Sequence, residues 1–339
     1  MRSGTGGQHF GGLAFNGSSG AFPIGKSIDA LLGATDQKPA GAGAGFSRWG
    51  FFASGTLGRG SADSSHMLPD YNFDTSRLTA AVDYRYSDSW IVGATAGYAR
   101  FNSDLGANRG HMNTRGWSLS AYSTMFKQDS WYVDGMVSWG HNSYDINRRI
   151  LYTVTTPSGT TRIDTRATAN SGGSDLAGSL TVGRDFQKGG WSFGPYFRGN
   201  LARLSFDDYC ESLPAGTPGS GLGLLVRGRD VQSASSVLGG KFTCASSQSW
   251  GVLMPHVQVE WEHEFRTDPY RLEAHFLNDP TATPFLVQGD PIDNDFFRLG
   301  LGLSFVLTGG KSGFVYYEKT LGREGITQDN LALGIRIEF

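Results

Sequence analysis

Residues 77–99 read RLTAAVDYRYSDSWIVGATAGYA. In the first ten, Leu78, Ala80, Val82, Tyr84 and Tyr86 share one face of an extended chain, while Arg77, Thr79, Asp83 and Arg85 share the other. This period of two marks a strand with one apolar and one wet side. Ser87-Asp88 then turn the chain, and Trp90 opens the next run. Trp131, Val133, Val137 and Trp139 sort in the same way against Asp134 and Ser138. So do Val257, Val259, Trp261 and Phe265 against Gln258, Glu260, Glu262 and Glu264, and Phe297, Leu299, Leu301, Leu303, Phe305 and Leu307 against Arg298, Gly300, Gly302 and Ser304.

A soluble sandwich alternates too, so the connections must discriminate. Short polar turns at Ser87-Asp88, Lys127-Gln128-Asp129, Gln187-Lys188-Gly189, Ser246-Ser247-Gln248 and Thr308-Gly309-Gly310 interleave with longer links near 61–72, 103–113, 147–172, 208–229 and 266–294. Short turns at one end and long loops at the other are the pattern of an outer-membrane barrel. Trp90, Trp131, Trp191 and Trp250 each follow a short turn by one to three residues. They therefore stand at one depth, as an interfacial girdle requires. Strands beginning near 49, 74, 89, 114, 130, 174, 191, 230, 249, 295, 312 and 328 predict an all-β, twelve-stranded, antiparallel up-and-down transmembrane β-barrel over 49–339. Its last strand must bond to its first, because an open edge does not survive in hydrocarbon.

Composition agrees. Aromatic residues make up 13% of the chain and charged residues 18%, against roughly 25% charged in soluble domains. No stretch of about 18 apolar residues is present. The mean hydropathy of -0.28 suits strands that alternate lipid-facing and lumen-facing side chains. A net charge of -2 offers no basic surface for nucleic acid. Cys210 and Cys244 have no metal-type spacing, and the topology holds them too far apart for a disulfide. Residues 1–48 read as a Gly-rich linker with a helix-compatible stretch at about 24–33, a candidate for entering the pore. MRSGTGGQHF at the start has no apolar signal core, so an export signal is expected outside this chain.

RWGFFASGTLGRG at 48–60, FDTSRLTAAVDYRYSDSWIVGATAGYA at 73–99, DSWYVDGMVSWG at 129–140, SFGPYFRGNL at 192–201, SWGVLMPHVQVEWEHEF at 249–265 and the terminal LALGIRIEF together resemble the autotransporter translocator domain, the C-terminal barrel of type V secretion. The resemblance implies a Gram-negative outer-membrane barrel plugged by an N-terminal helix and export of an attached passenger, here absent from the chain. It also implies partners in the lipid bilayer, the barrel-assembly machinery and periplasmic chaperones. The alternating Leu333, Ile335, Ile337 and final Phe339 are similar to the signal that machinery reads. An Asn-Asn pair near the pore-threading segment is missing, which leaves self-cleavage inside the barrel without support.

If the parities hold, Asp83, Arg85, Asp134, Arg198, Lys241, Glu260, Glu262, Glu264, Arg298, Glu318 and Arg336 line the lumen, with Glu260 or Glu262 in reach of Arg298. No cofactor, metal site or catalytic residue is expected. His256, His263 and His275 lack metal spacing, and His141-Asn142-Ser143, near Arg148 and Arg149, lacks a third orienting group for a nucleophile and base. The protein is therefore read as a translocator and not an enzyme. A diffusion pore or surface adhesin is the alternative, and a barrel lipid hydrolase a more distant one.

Overall fold

The computed structural model describes residues 48–64, 69–127, 131–157, 159–269, 271–289 and 293–338. The linker with its helix-compatible stretch, and Phe339, lie outside them. Eighteen strands follow in chain order: β1 (Trp49–Ala62), β2 (Tyr71–Ser87), β3 (Trp90–Leu105), β4 (Gly110–Phe126), β5 (Trp131–Thr156), β6 (Gly159–Arg184), β7 (Phe186–Lys188), β8 (Trp191–Phe206), β9 (Tyr209–Cys210), β10 (Leu224–Val226), β11 (Arg229–Cys244), β12 (Ser246–Gln248), β13 (Gly251–Glu264), β14 (Arg271–Phe276), β15 (Phe285–Gln288), β16 (Asp295–Leu307), β17 (Lys311–Leu321) and β18 (Ile326–Glu338).

Twelve of them, β1–β6, β8, β11, β13 and β16–β18, pair antiparallel in a closed ring, with β8 joined to β11 and β18 to β1. The β1–β18 seam runs without a slip from Gly50↔Glu338 to Ala62↔Ile326. Strands β7 and β12 continue β6 and β11 in the same register beyond Pro195 and Pro255 on their partners. The ladder breaks there because proline has no N–H to donate.

Side-chain polarity is inverted relative to a water-soluble protein. Leu78 is 68% exposed while Asp83, five residues along the same strand, is 2% exposed. Trp49, Trp131, Trp191 and Trp250 are exposed around the short-turn end, and Trp90 donates from Nε1 to Ser123 Oγ at 2.8 Å. Tyr98, Trp117, Trp139 and Trp261 form the opposite belt. The eight residue steps from Trp131 to Trp139 span about 26 Å of strand. At a tilt of about 40° that is about 20 Å of height, close to the apolar band of an outer-membrane barrel.

Inside, aromatic rings lie across glycines of neighbouring strands. Tyr122 covers Gly93, Tyr196 covers Gly239, and Phe314 covers Gly334, each glycine standing opposite its ring. A Cβ at any of these positions would collide with the ring. At the short-turn end Gly309 and Gly310 adopt positive φ of 81° and 71°, which a turn this tight requires and other residues resist.

Four of the expected links are corrected. Residues 103–113 are almost wholly strand, because β3 and β4 meet at a single 3₁₀ turn, Gly106–Asn108. Residues 147–172 are strand apart from the tip: β5 and β6, each 26 residues long, pair without interruption out to Thr156↔Gly159. The β-branched residues Thr153, Val154, Thr155 and Thr156 before the tip, and Thr160, Thr161, Ile163 and Thr165 after it, favour the extended chain there. Links 208–229 and 266–294 hold β9, β10, β14 and β15, which form a second, four-stranded sheet.

Candidate functional site

Two charged clusters occupy the inner wall. The first bridges the seam. Arg336 on β18 donates from Nη1 to Asp83 Oδ2 at 2.6 Å and from Nη2 to Oδ1 at 2.7 Å, crossing over β1, and from Nε to Glu338 Oε1 at 3.0 Å. Tyr122 donates its hydroxyl to Asp83 Oδ2 at 3.2 Å. Gly50 lies between the partners, where a Cβ would press on both.

The second cluster lies across β8, β13, β16 and β17. Arg298 stands opposite Glu260 in the ladder. Its guanidinium reaches Glu260 Oε2 at 3.2 Å and Glu318 Oε1 at 3.8 Å, and makes its closest contact with Glu262. Arg198 holds Glu260 Oε1 at 3.0 Å, and the same oxygen accepts from the Tyr196 hydroxyl at 2.6 Å and Gln258 Nε2 at 2.9 Å. Glu262 accepts from Ser235 Oγ, and Glu264 from Ser233 Oγ and the Ala234 N–H. Glu260, Glu262 and Arg298 are buried to 3% exposure or less. Removing such charges from water is costly unless every lone pair finds a donor, so the dense bonding is what makes the cluster tenable.

The remaining residues singled out from sequence are looser. Arg85, Asp134 and Lys241 lie on the inward faces of β2, β5 and β11, half-buried. Asp134 stands between the buried Thr124 and Thr181 of its neighbours. Leu333 and Ile335 are exposed on the outer wall of β18, and Ile337 is half-buried at its end. Buried His256 stacks on Tyr316 with centroids 5.9 Å apart. His141 and Ser143 are exposed on the outer wall, while Asn142 between them faces inward and donates to Asp175 Oδ1 at 2.8 Å. Among the described residues no group of three or more His, Cys, Asp or Glu is placed to hold a metal.

Sequence reasoning missed what closes the long-loop end. The four-stranded sheet packs Tyr209, Val226, Leu272 and Ala274 against Met112, Tyr144, Ile146, Ala169 and Phe206, the inward-facing residues of β4, β5, β6 and β8. One buried ion pair fastens it. Arg148 donates from Nε and Nη2 to the two oxygens of Glu211, at 2.8 and 2.5 Å, and from Nη2 to the Leu222 carbonyl at 3.1 Å. Glu211 Oε2 also accepts from the Leu224 N–H at 3.1 Å. Beneath this cap the lumen keeps a cavity of about 160 Å³, its lining mixed, with Thr56, Arg77, Asn142 and Asp175 beside Phe101 and Tyr144.

In the link between β14 and β15, Asp279 accepts from the N–H groups of Thr281 and Thr283 and from the Thr281 hydroxyl, at 2.6–2.9 Å. These donors, that hydroxyl first, hold its pKa at about 2, below the ordinary 3.8. A depressed carboxylate pKa stabilises the folded loop above about pH 4, and the contribution is lost as pH falls through about 2. Carboxyl NMR should show Asp279 titrating near 2, with faster amide exchange at Thr281 and Thr283 below that pH. A midpoint near 4 would remove the turn from the structure's account.

The family model described as Autotransporter beta-domain matches residues 51–318. Among solved structures, the chain is similar to the translocator domain of autotransporter NalP from Neisseria meningitidis, with a TM-score of 0.64 at 16% identity over 96% of this chain and 99% of that one. It is also similar to the beta domain of the Bordetella autotransporter BrkA, with a TM-score of 0.60 at 18% identity over 86% of this chain and 100% of that one. In sequence it is 26% identical over 213 residues to a Pseudomonas putida protein named for the trpE-trpG intergenic region, across 62% of this chain. The match spans 33% of that relative's length.

Proposed function

Since the chain belongs to the autotransporter β-domain family and is an outer-membrane translocator barrel of the Gram-negative type, we propose that it carries a passenger polypeptide, joined ahead of Met1, across the outer membrane. The observation that supports this most directly is the barrel's polarity. A closed, lipid-facing wall surrounds a charged and hydrogen-bonded lumen, and Trp49 stands at the short-turn, periplasmic end beside the last strand. On this reading a segment preceding the barrel meets the lumen from the periplasmic end.

In hydrocarbon each unpaired backbone group costs several kcal/mol, so an extended chain can cross only where water or polar side chains replace lipid. We assign that role to the inward charges Asp83, Arg85, Asp134, Arg198, Lys241, Glu260, Glu262, Glu264, Arg298, Glu318 and Arg336. Leu333, Ile335, Ile337 and Phe339 are assigned as the signal by which the barrel-assembly machinery and its chaperones take up the chain. No catalytic step is included in the reading.

The test places a reporter ahead of Met1 behind a signal peptide and adds protease to intact cells. The reporter should be digested while the barrel remains folded by its heat-dependent gel mobility. A protected reporter above a folded barrel would end the export reading.

A further inference from the structure

Several cations facing outward near the long-loop rim are answered by carboxylates. Arg203 holds Asp230 at 2.6 Å, Lys319 holds Asp329 at 3.3 Å, and Arg59 stands opposite both Asp74 and Asp329. Arg100 on β3 and Arg115 on β4 differ. They stand directly opposite each other, both are exposed on the lipid-facing side, and neither is in an ion pair among the described residues. The nearest acids on that face, Asp74 and Asp145, stand one pair further out, opposite Asn102 and Asn113. Like charges facing each other across a ladder are destabilising, and an anion held between them relieves the repulsion.

Depth identifies the kind of anion. From Trp90 in the periplasmic girdle to Arg100 is ten residues, about 33 Å of strand and about 25 Å of height at a tilt of about 40°. Met125 lies opposite Trp90, so Arg115 is at the same height. The two guanidinium groups thus stand where hydrocarbon gives way to the headgroups of the outer leaflet. Tyr98 and Trp117 lie just below, with the Arg100 guanidinium 5.6 Å from the Tyr98 ring centroid. Ser143, opposite Arg115, adds an exposed hydroxyl.

A second, independent feature points to acyl chains. Small residues on the lipid-facing side of β1, β2 and β3 leave a shallow apolar groove of about 820 Å³, lined by Ala53, Gly55, Ala80, Ala96 and Leu333, that reaches Tyr98. The groove and the arginine pair meet at that ring. A free phosphate would use only the arginines, whereas a phosphorylated lipid uses both.

We propose that Arg100 and Arg115 bind a phosphate monoester carried by a glycolipid of the outer leaflet, with its acyl chains along the Ala80–Ala96 groove. Each guanidinium fork presents paired N–H donors that match phosphate oxygens, and charge-assisted contacts of this kind are the strong ones.

The experiment measures lipid retention on the folded, detergent-solubilised protein by native mass spectrometry. The probes are bisphosphorylated lipid A, the same lipid with its phosphates removed, and inorganic phosphate. The protein should retain phosphorylated lipid A at least tenfold more tightly than the dephosphorylated form. R100Q/R115Q should lose that preference, while R203Q, which removes a paired rim cation, should keep it. Equal retention of the two lipids, an unchanged preference in R100Q/R115Q, or inorganic phosphate binding as tightly as the lipid would each overturn the assignment. If the double variant does not fold, the wild-type comparison and the single variants R100Q and R115Q decide.

Discussion

Replacing Arg298 by methionine is expected to remove about 3–5 kcal/mol from the stability of the folded barrel, the usual effect of stripping one partner from a buried ion pair. Arg298 is 3% exposed and shared by three carboxylates, Glu260, Glu262 and Glu318. Methionine fills a similar volume and answers none of them. Urea unfolding and refolding in lipid vesicles would measure the loss as a shift in midpoint. R298M/E262Q/E318Q should recover much of it, because Glu260 keeps Arg198 and the other two carboxylates that Arg298 served are then neutral. An R298M barrel as stable as wild type would mean that these carboxylates are held by something other than Arg298.

The second large effect is expected at the cap. Glu211→Ala leaves the Arg148 guanidinium without its bidentate partner and the Leu224 N–H without its acceptor. The Glu211 side chain is 1% exposed and that of Arg148 12%, so the cost belongs at the low end of the buried-pair range, about 3 kcal/mol. At 1.4 kcal/mol per factor of ten, the population of the detached cap rises on the order of a hundredfold. Hydrogen exchange at Leu224, Leu225, Val226 and Ala274 should quicken by that factor, while amides along the β1–β18 seam keep their protection. Unchanged exchange at Leu224 would show that the apolar contacts alone hold the sheet down.

The wall was legible because lipid simplifies the code. Where Leu78, Val137, Leu299 and Leu301 face hydrocarbon, apolar means outward at every second position, and strand faces follow without ambiguity. Above the bilayer the same rule inverts. Ile146, Ile150, Ile163 and Ala167 point inward, against the cap or one another, while Thr153, Thr155 and Arg162 meet water. A reading that equates apolar with lipid-facing loses the strand at that change of sign, which is why 147–172 resembled a loop. The cap was hidden for a different reason. Its strands are two to six residues long, too short for periodicity to register, and they bond between two links far apart in sequence. Leu224-Leu225-Val226 and Phe285-Leu286-Val287, apolar runs inside expected polar loops, were the available signal.

The ion pair of the lumen was foreseeable in part. Glu260, Glu262 and Arg298 fall on facing sides of neighbouring strands once the alternation is counted. The link from Arg336 to Asp83 was not, because it passes over a third strand and depends on Gly50 having no side chain.

Because β1 is completed by β18, the cylinder cannot close before β18 has been made. Thirteen residue pairs join the two ends of the domain, and the Arg336–Asp83 clasp couples positions 253 residues apart. Until Glu338 emerges, the leading strand keeps a row of bare amides and carbonyls, the kind of border that recruits stray chains. Closure is thus the last step the geometry allows, and the margins meet only after every strand between them has been made.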